Sequence, residues 1–511
     1  MIARLLLIAF AMSAPAFAAD WPQWGRDNTR NAVSPEKGVP EFQLQLTDDK
    51  GKVVKPERGV AWKAELGSRT VVHPVIADGL VWVCTNAREP EDEKLLQKNW
   101  DGGVLMCFRE SDGKLLWKLR SPRRKEGITD WSHAALGSAP LVEGDRLWYT
   151  NNRHEVVCLD IGPLKKGTGE PTEVWKLPMI EKLGVFAHLP LMQAGFAASV
   201  AGYKDWLYVV THNGVDENRV QVPEPDAPSL ICVGKKSGEV VWKDKSPGKN
   251  ILQYQISSPL VAEIAGKPQV IVGQGDGWLR SFEAATGKLI WKCDLNPKAA
   301  KYELGGQGDR NSVVATPVLW ENRVFIAGGH DIEHFDGPGC LYCIDPTKTG
   351  DVSRELDNGP GKGKANPNSA VVWHTLGPFP SGVPNHNSKK NILDQRDGYL
   401  FGRTIAACTV HDGLVYAADI GGYFFCFDAK TGKPLWIHDL KSSVWAQPLW
   451  VDGKVLVATE DGDVWIFAHG REKKQLAKLE TEQTIRPGLV FANRTLYITG
   501  ERTLFAIRSP K

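Results

Sequence analysis

The phrase CFDAKTGKPLW, Cys426 to Trp436, recurs along the chain in a fixed register, and no other feature constrains the fold as strongly. Cys107 to Trp117, Cys232 to Trp242 and Ser281 to Trp291 repeat it at the same length, each with a small first residue, Gly seventh and Trp eleventh. Two further copies, Cys158 to Trp175 and Cys343 to Trp373, are stretched between the turn and the Trp. A seventh, Ile466 to Leu476, keeps the spacing with Leu in place of Trp. Each copy reads as a strand, a turn whose Gly supplies positive φ, and a second strand that carries the Trp.

A hairpin precedes these copies: HPVIADGLVWVCTN, SAPLVEGDRLWYTNN, TPVLWENRVFIAGG, ACTVHDGLVYAADIGG, QPLWVDGKVLVATEDG and RPGLVFANRTLYITG. Asp-Gly and Asn-Arg between runs of β-formers are hairpin turns. Hairpin plus phrase makes a four-stranded antiparallel sheet, and such sheets repeating every ~40 to 80 residues spell an all-β propeller. Eight blades are expected. The last hairpin has only a third strand after it, while GVAWKAEL around Trp62 is a Trp strand without a blade. That N-terminal strand is therefore expected to complete the last blade and close the ring, leaving no open end.

The repeat resembles that of pyrroloquinoline-quinone (PQQ)-like propeller proteins, from WPQWGRDNTRN near the start to the C-terminus. This superfamily holds quinoprotein alcohol dehydrogenases and the BamB-like propeller scaffold of outer-membrane assembly, and the chain looks most like its uncharacterised exported bacterial members. The resemblance implies the fold; it implies no single function.

MIARLLLIAFAMSAPAFAAD places Arg4 before an apolar run from Leu5 to Met12 and small residues Ala16 and Ala18, the pattern of a signal peptide cut after Ala18. The expected organisation is a signal peptide over 1–18, an N-terminal extension over 19–58 and a single propeller over 59–511, in the periplasm or secreted. No other apolar run is long enough to span a bilayer. With a formal net charge of +2 and mixed charges, neither nucleic acid nor an anionic membrane is favoured as a partner, and a monomer is expected.

The phrase itself reads as structural. One cofactor cannot sit on Trp62, Trp117, Trp175, Trp242, Trp291, Trp373 and Trp436 at once, so these rings are expected to wedge blade against blade. Cys107, Cys158, Cys232, Cys343 and Cys426 share the first position of the phrase, too far from blade to blade for disulfides, and read as small core residues. In CLYC, Cys340 and Cys343 lie three apart on a strand and face opposite sides. Cys84, Cys293 and Cys408 carry no assignment.

Function is expected in the long loops of one face and at the channel mouth beneath them. His330, Asp331, Glu333 and His334 of HDIEH form a ligand-like cluster for a divalent metal, a partner contact or a solvated loop. His73, Ser138, Ser258, Thr316, Gln447 and Arg486 start the inner strands and should rim the mouth, either satisfying backbone groups or meeting a ligand. Asp130, Trp131, Asp309, Asn311 and Trp445 have the residue types that a quinone and calcium would require.

Two functional readings follow. One is a binding or scaffold propeller that engages an envelope protein, a peptide or a small ligand through its loop face. The other is a PQQ- and calcium-dependent alcohol or sugar dehydrogenase. The adjacent cysteine pair of many such dehydrogenases is absent from the chain.

Overall fold

The computed structural model describes residues 19–86, 102–122, 124, 136–186, 197–216, 218–252, 255–304, 310–329, 337–375, 377–380, 383 and 399–509. Within these residues the strands form eight four-stranded antiparallel blades in a ring. Blades 1 to 7 occupy residues 75–122, 141–178, 201–244, 260–294, 318–374, 409–439 and 449–480. Blade 8 takes three strands from residues 490–507 and its outer strand from Val60–Glu65, with Ala506 opposite Trp62. The ring therefore closes as the orphan Trp strand requires.

The repeated phrase has one register. Its first residue lies opposite the Trp in Cys107–Trp117, Cys158–Trp175, Cys232–Trp242, Ser281–Trp291, Cys343–Trp373 and Cys426–Trp436, and a β-bulge follows each pair. The bulge turns the Trp ring toward the next blade. There its indole N–H donates to a backbone oxygen of the turn: Trp62 to Glu110 at 2.9 Å, Trp175 to Lys235 at 2.9 Å, Trp242 to Ala284 at 2.9 Å, Trp373 to Ala429 at 2.8 Å and Trp436 to Gly470 at 3.1 Å. The turn Gly is needed twice over. Gly287 has φ +71°, and a Cβ there would stand 2.6 Å from the ring of Trp242.

Where the docking turn is missing, the dock is missing too. Blades 2 and 5 carry the stretched copies; Trp291, facing blade 5, bonds Gln269 of its own blade, and Trp117, facing blade 2, packs edge-on against Trp82 of its own. Blade 8 has no such turn at all, because its outer strand comes from the other end of the chain. Correspondingly, blade 7 has Ala477 at the Trp position, opposite Ile466, and Leu476 is the exposed bulge residue. The expected Leu-for-Trp exchange is thus an Ala, one position later. Phe42 and Leu44 of the N-terminal extension are buried in the core shared by blades 7, 8 and 1.

The extension is woven into the ring. Trp21 exchanges two backbone bonds with Ile76, and Val142 N donates to Pro22 O. Asn28 reaches Gly202 O and accepts from Val261 N, Thr29 O accepts from Leu319 N, Asn31 bonds Val410 in both directions, and Ala32 O accepts from Trp450 N. Each partner is the second residue of its blade's inner strand, in blades 1 to 7 in order. Glu36 completes the circuit on Asn493 N and Arg494 N of blade 8. An inner strand otherwise presents a free edge to the channel, and this segment satisfies those edges from inside.

All nine cysteine sulfurs are unpaired, and all but the half-buried Cys340 are buried. Burial pushes their thiols upward, as in small core residues.

Candidate functional site

The inner strands converge on a channel mouth floored by the N-terminal segment. Trp24 lies flat on His73, with ring centroids 4.6 Å apart and planes at 12°. Residues leading into the inner strands of all eight blades, among them Ser258, Thr316, Trp445 and Arg486, surround a void of about 100 Å³ above it. Below, Arg30 is fully buried and donates to Pro259 O, Trp24 O, Val200 O and Gln23 Oε1. The segment thus occupies the channel.

The mouth residues have structural partners. Ser258 Oγ accepts Ser199 N of the neighbouring blade at 3.0 Å, and Thr316 Oγ1 accepts Ser258 N at 3.2 Å. Ser138 Oγ accepts Thr150 N within its own blade, and Ser199 Oγ accepts Ala139 N. Gln447 donates to Arg30 O and Cys408 O, tying the N-terminal segment to blades 6 and 7. Arg486 sits 5.2 Å from the Trp445 ring and binds Glu460 at 2.8 Å and Glu501 at 3.1 Å. Ser199, Glu460 and Glu501 were not singled out in the sequence. Ser199 is legible, since SVAG aligns with SPLV from Ser258, whereas Glu460 and Glu501 lie in hairpin-end turns that carry no signature.

His73 has its Nδ1 2.9 Å from Pro74 O and its Nε2 3.4 Å from Gly25 N. Burial lowers it to about 4, and burial likewise holds His212 at about 3 and His438 at about 4. These rings are neutral when folded, whereas in the unfolded chain they gain protons near pH 6.5. Their folded values lie below the unfolded one, so stability is full above pH 6.5 and falls as pH drops toward 4. Between pH 6.5 and 5 each costs at most roughly 2 kcal/mol. Urea midpoints measured across that range should fall, with a shallower slope in His73→Phe; an identical slope would remove His73 from the account.

A larger cavity, about 510 Å³, opens over blade 5 between loops of blades 4, 5 and 6. Leu295, Pro297, Ala300 and Phe401 form apolar walls, and Cys340, His374 and Arg354 a polar one. Arg354 Nη1, which can only donate, lies 3.3 Å from His374 Nε2. The proton of the neutral ring is thereby placed on Nδ1, which faces Cys340 Sγ at 3.6 Å. Burial, then the Arg354 charge, lowers His374, and burial raises Cys340 to about 11. A protonated thiol beside a neutral imidazole is a binding wall and a poor nucleophile. Asn311, expected near the channel mouth, lines this cavity instead and donates to Pro338 O.

Asp130, Trp131, Asp309, His330, Asp331, Glu333 and His334 fall outside the described residues. Among the described residues no group of three or more His, Cys, Asp or Glu side chains is placed to hold a metal ion. At the mouth, the described groups do not fit a quinone with calcium: the void is below the ~300 to 1,000 Å³ of small-molecule sites, one face of Trp24 is taken by His73, and both nearby carboxylates hold Arg486.

Eight blades, with Trp-on-turn docks at five of their junctions, define a PQQ-like repeat β-propeller. The family model described as "Outer membrane protein assembly factor BamB" matches residues 101–375 and 365–487, and the chain belongs to that family. BamB of Moranella endobia (strain PCIT) is 20% identical over 244 residues, 45% of this chain and 56% of that protein. Polyvinylalcohol dehydrogenase of Sphingopyxis sp. (strain 113P3) is 28% identical over 142 residues, 24% of this chain and 21% of that protein. The chain thus spans less than two thirds of the length of either curated relative. Among solved structures, BamB from Moraxella catarrhalis superposes with TM-score 0.50 at 16% identity, covering 87% of this chain and 98% of that one. Sqt1 from Saccharomyces cerevisiae gives 0.54 at 11% identity, covering 89% and 99%. These likenesses show the fold. No helix of the described residues is long and apolar enough to cross a membrane.

Proposed function

We propose that the chain is exported, cut after Ala18, and acts in the cell envelope as a binding or scaffold propeller for a protein, peptide or small ligand on its loop face. The observation that carries this reading is the occupied hub. The N-terminal segment plugs the channel and leaves about 100 Å³ above Trp24, while a separate cavity of about 510 Å³ with mixed walls lies on blade 5. That cavity has the size of a small-ligand site. Family membership with an outer-membrane assembly factor supports an envelope partner.

The test sets this reading against the quinoprotein alternative. Purified protein is titrated with PQQ and calcium while quinone absorbance and dye-linked alcohol oxidation are followed, and partners are captured from envelope extracts. No stoichiometric quinone uptake, with a partner captured by wild type and lost in Ala300→Trp or in a loop-330–334 Gly-Ser replacement, is expected. Stoichiometric quinone binding with turnover would replace the scaffold by a dehydrogenase.

A further inference from the structure

The N-terminal segment begins in an acidic corner where blade 8 closes on blade 1. Glu36 is only 3% exposed, yet its carboxylate is met by main-chain nitrogens: Ala19 N at 3.2 Å, Asn493 N at 2.7 Å and Arg494 N at 2.8 Å. Two more carboxylates converge on Asn493, whose Nδ2 lies 2.9 Å from Asp20 and 3.2 Å from Glu110. Glu110 also accepts from Tyr497, and Asp20 accepts from Asp78 N.

The cations around this corner are few. Arg508 donates to Glu110 O and Thr495 Oγ1, and Lys165 is held by Asp78 and Asp145. Burial raises Glu110, against the pull of Asn493, Tyr497 and Arg508, with Asp20 adding to the rise. Among the described residues Asp20, Glu36 and Glu110 form no salt bridge, Arg508 reaching Glu110 at its main-chain oxygen, and a buried carboxylate without a matching cation is costly.

We infer that signal-peptide removal supplies the missing cation: hydrolysis of the Ala18–Ala19 bond turns Ala19 N into an α-ammonium that pairs with Glu36 and locks the closing seam. This rests on the export reading above. The step balances with water alone: the carboxylate leaves on Ala18, and the new amine of Ala19 takes the proton. Before cleavage the same nitrogen is a neutral amide that offers Glu36 a hydrogen bond without charge. Afterwards the bond is charge-assisted, at the same seam that Trp62 docks on Glu110 O. Processing and ring closure are thereby linked through one atom.

The α-amine's pH profile tests this. N-terminal mass of the exported protein is read first. A mature chain that begins elsewhere than Ala19 overturns the cut after Ala18, and a chain made to start at Ala19 then judges the pair separately. On that chain, the acylation rate of the Ala19 amine is followed against pH, a readout that limited access alone does not shift. The midpoint should lie about one unit above the 7.7–8.0 of a free α-amine, a roughly tenfold slowing at pH 7, and return to that range in Glu36→Gln.

α-Acetylation of the same chain gives a measure that needs no substitution. The folded amine titrates above the unfolded one, so its contribution is full below about pH 7.7 and fades as pH rises through its folded value. The acetylated form should melt lower at pH 7 and equally at pH 10. A midpoint of 7.7–8.0 in the unaltered chain, or equal melting at pH 7, overturns the lock.

Discussion

Trp242→Ala is expected to destabilise the ring by about 3–5 kcal/mol, with the urea midpoint of its first transition shifted to match. The ring is 8% exposed, lies between Tyr208 and Phe282 at 5.9 and 6.3 Å, and donates to Ala284 O of the next blade. Truncation removes a large apolar surface and leaves a buried carbonyl without its donor, and the bulge that aims the ring then aims at a void. Approaching the same dock from the other side, Gly287→Ala places a Cβ 2.6 Å from Trp242 Cδ2 in a backbone at φ +71°. It should cost about 1–3 kcal/mol. Trp117, partly buried and facing a blade with a stretched turn, is the control. Its Ala variant should lose clearly less; equal losses at Trp117 and Trp242 would mean that the dock adds nothing beyond burial.

This contrast also marks what the sequence could tell. The strand, turn Gly and Trp of each phrase are local, so blade number and the closing strand around Trp62 were legible from spacing alone. The docking rule was not. It depends on a turn in the following blade, 34 to 60 residues away, and is visible only with Trp62, Trp175, Trp242, Trp373 and Trp436 on their acceptors. Blade 7 shows the limit sharply. A one-residue longer turn moves the Trp position from Leu476 to Ala477, and counting eleven residues cannot detect a bulge register.

The candidate site was legible in residue type and less so in role. Ser258, Thr316 and Gln447 do sit where inner strands begin, but each spends its hydrogen bonds on backbone of a neighbouring blade or of the plug. Hydroxyls and amides that could meet a ligand and those that stitch strands have the same composition, and only the partner distinguishes them. Residues 20–36 were the largest omission. WPQWGRDNTRN carries neither strand alternation nor a helical period that would mark it as structure, because the bonds of residues 20–36 go to eight different blades and none pairs the segment with itself as a sheet.

That segment yields the second large effect: Arg30→Ala should cost about 3–5 kcal/mol and open the hub. Arg30 is 0% exposed, and its guanidinium fills the channel between Pro259 O, Val200 O, Trp24 O and Gln23 Oε1, so removal leaves four oxygens buried and unpaired at once. Lysine keeps the charge but offers three donors on a point where Arg presents a planar fork, so Arg30→Lys should recover only part of the loss. Global stability alone would not separate a lost plug from a damaged core. Hydrogen exchange does, because the amides of Ile76, Val142, Val261, Leu319, Val410 and Trp450 donate to the segment and not to a blade partner. In Arg30→Ala these six should lose protection together, ahead of amides inside the blades such as Phe425 and Ile271. If they stay protected while the protein weakens, the segment holds without its arginine and the hub is closed by the backbone bonds themselves.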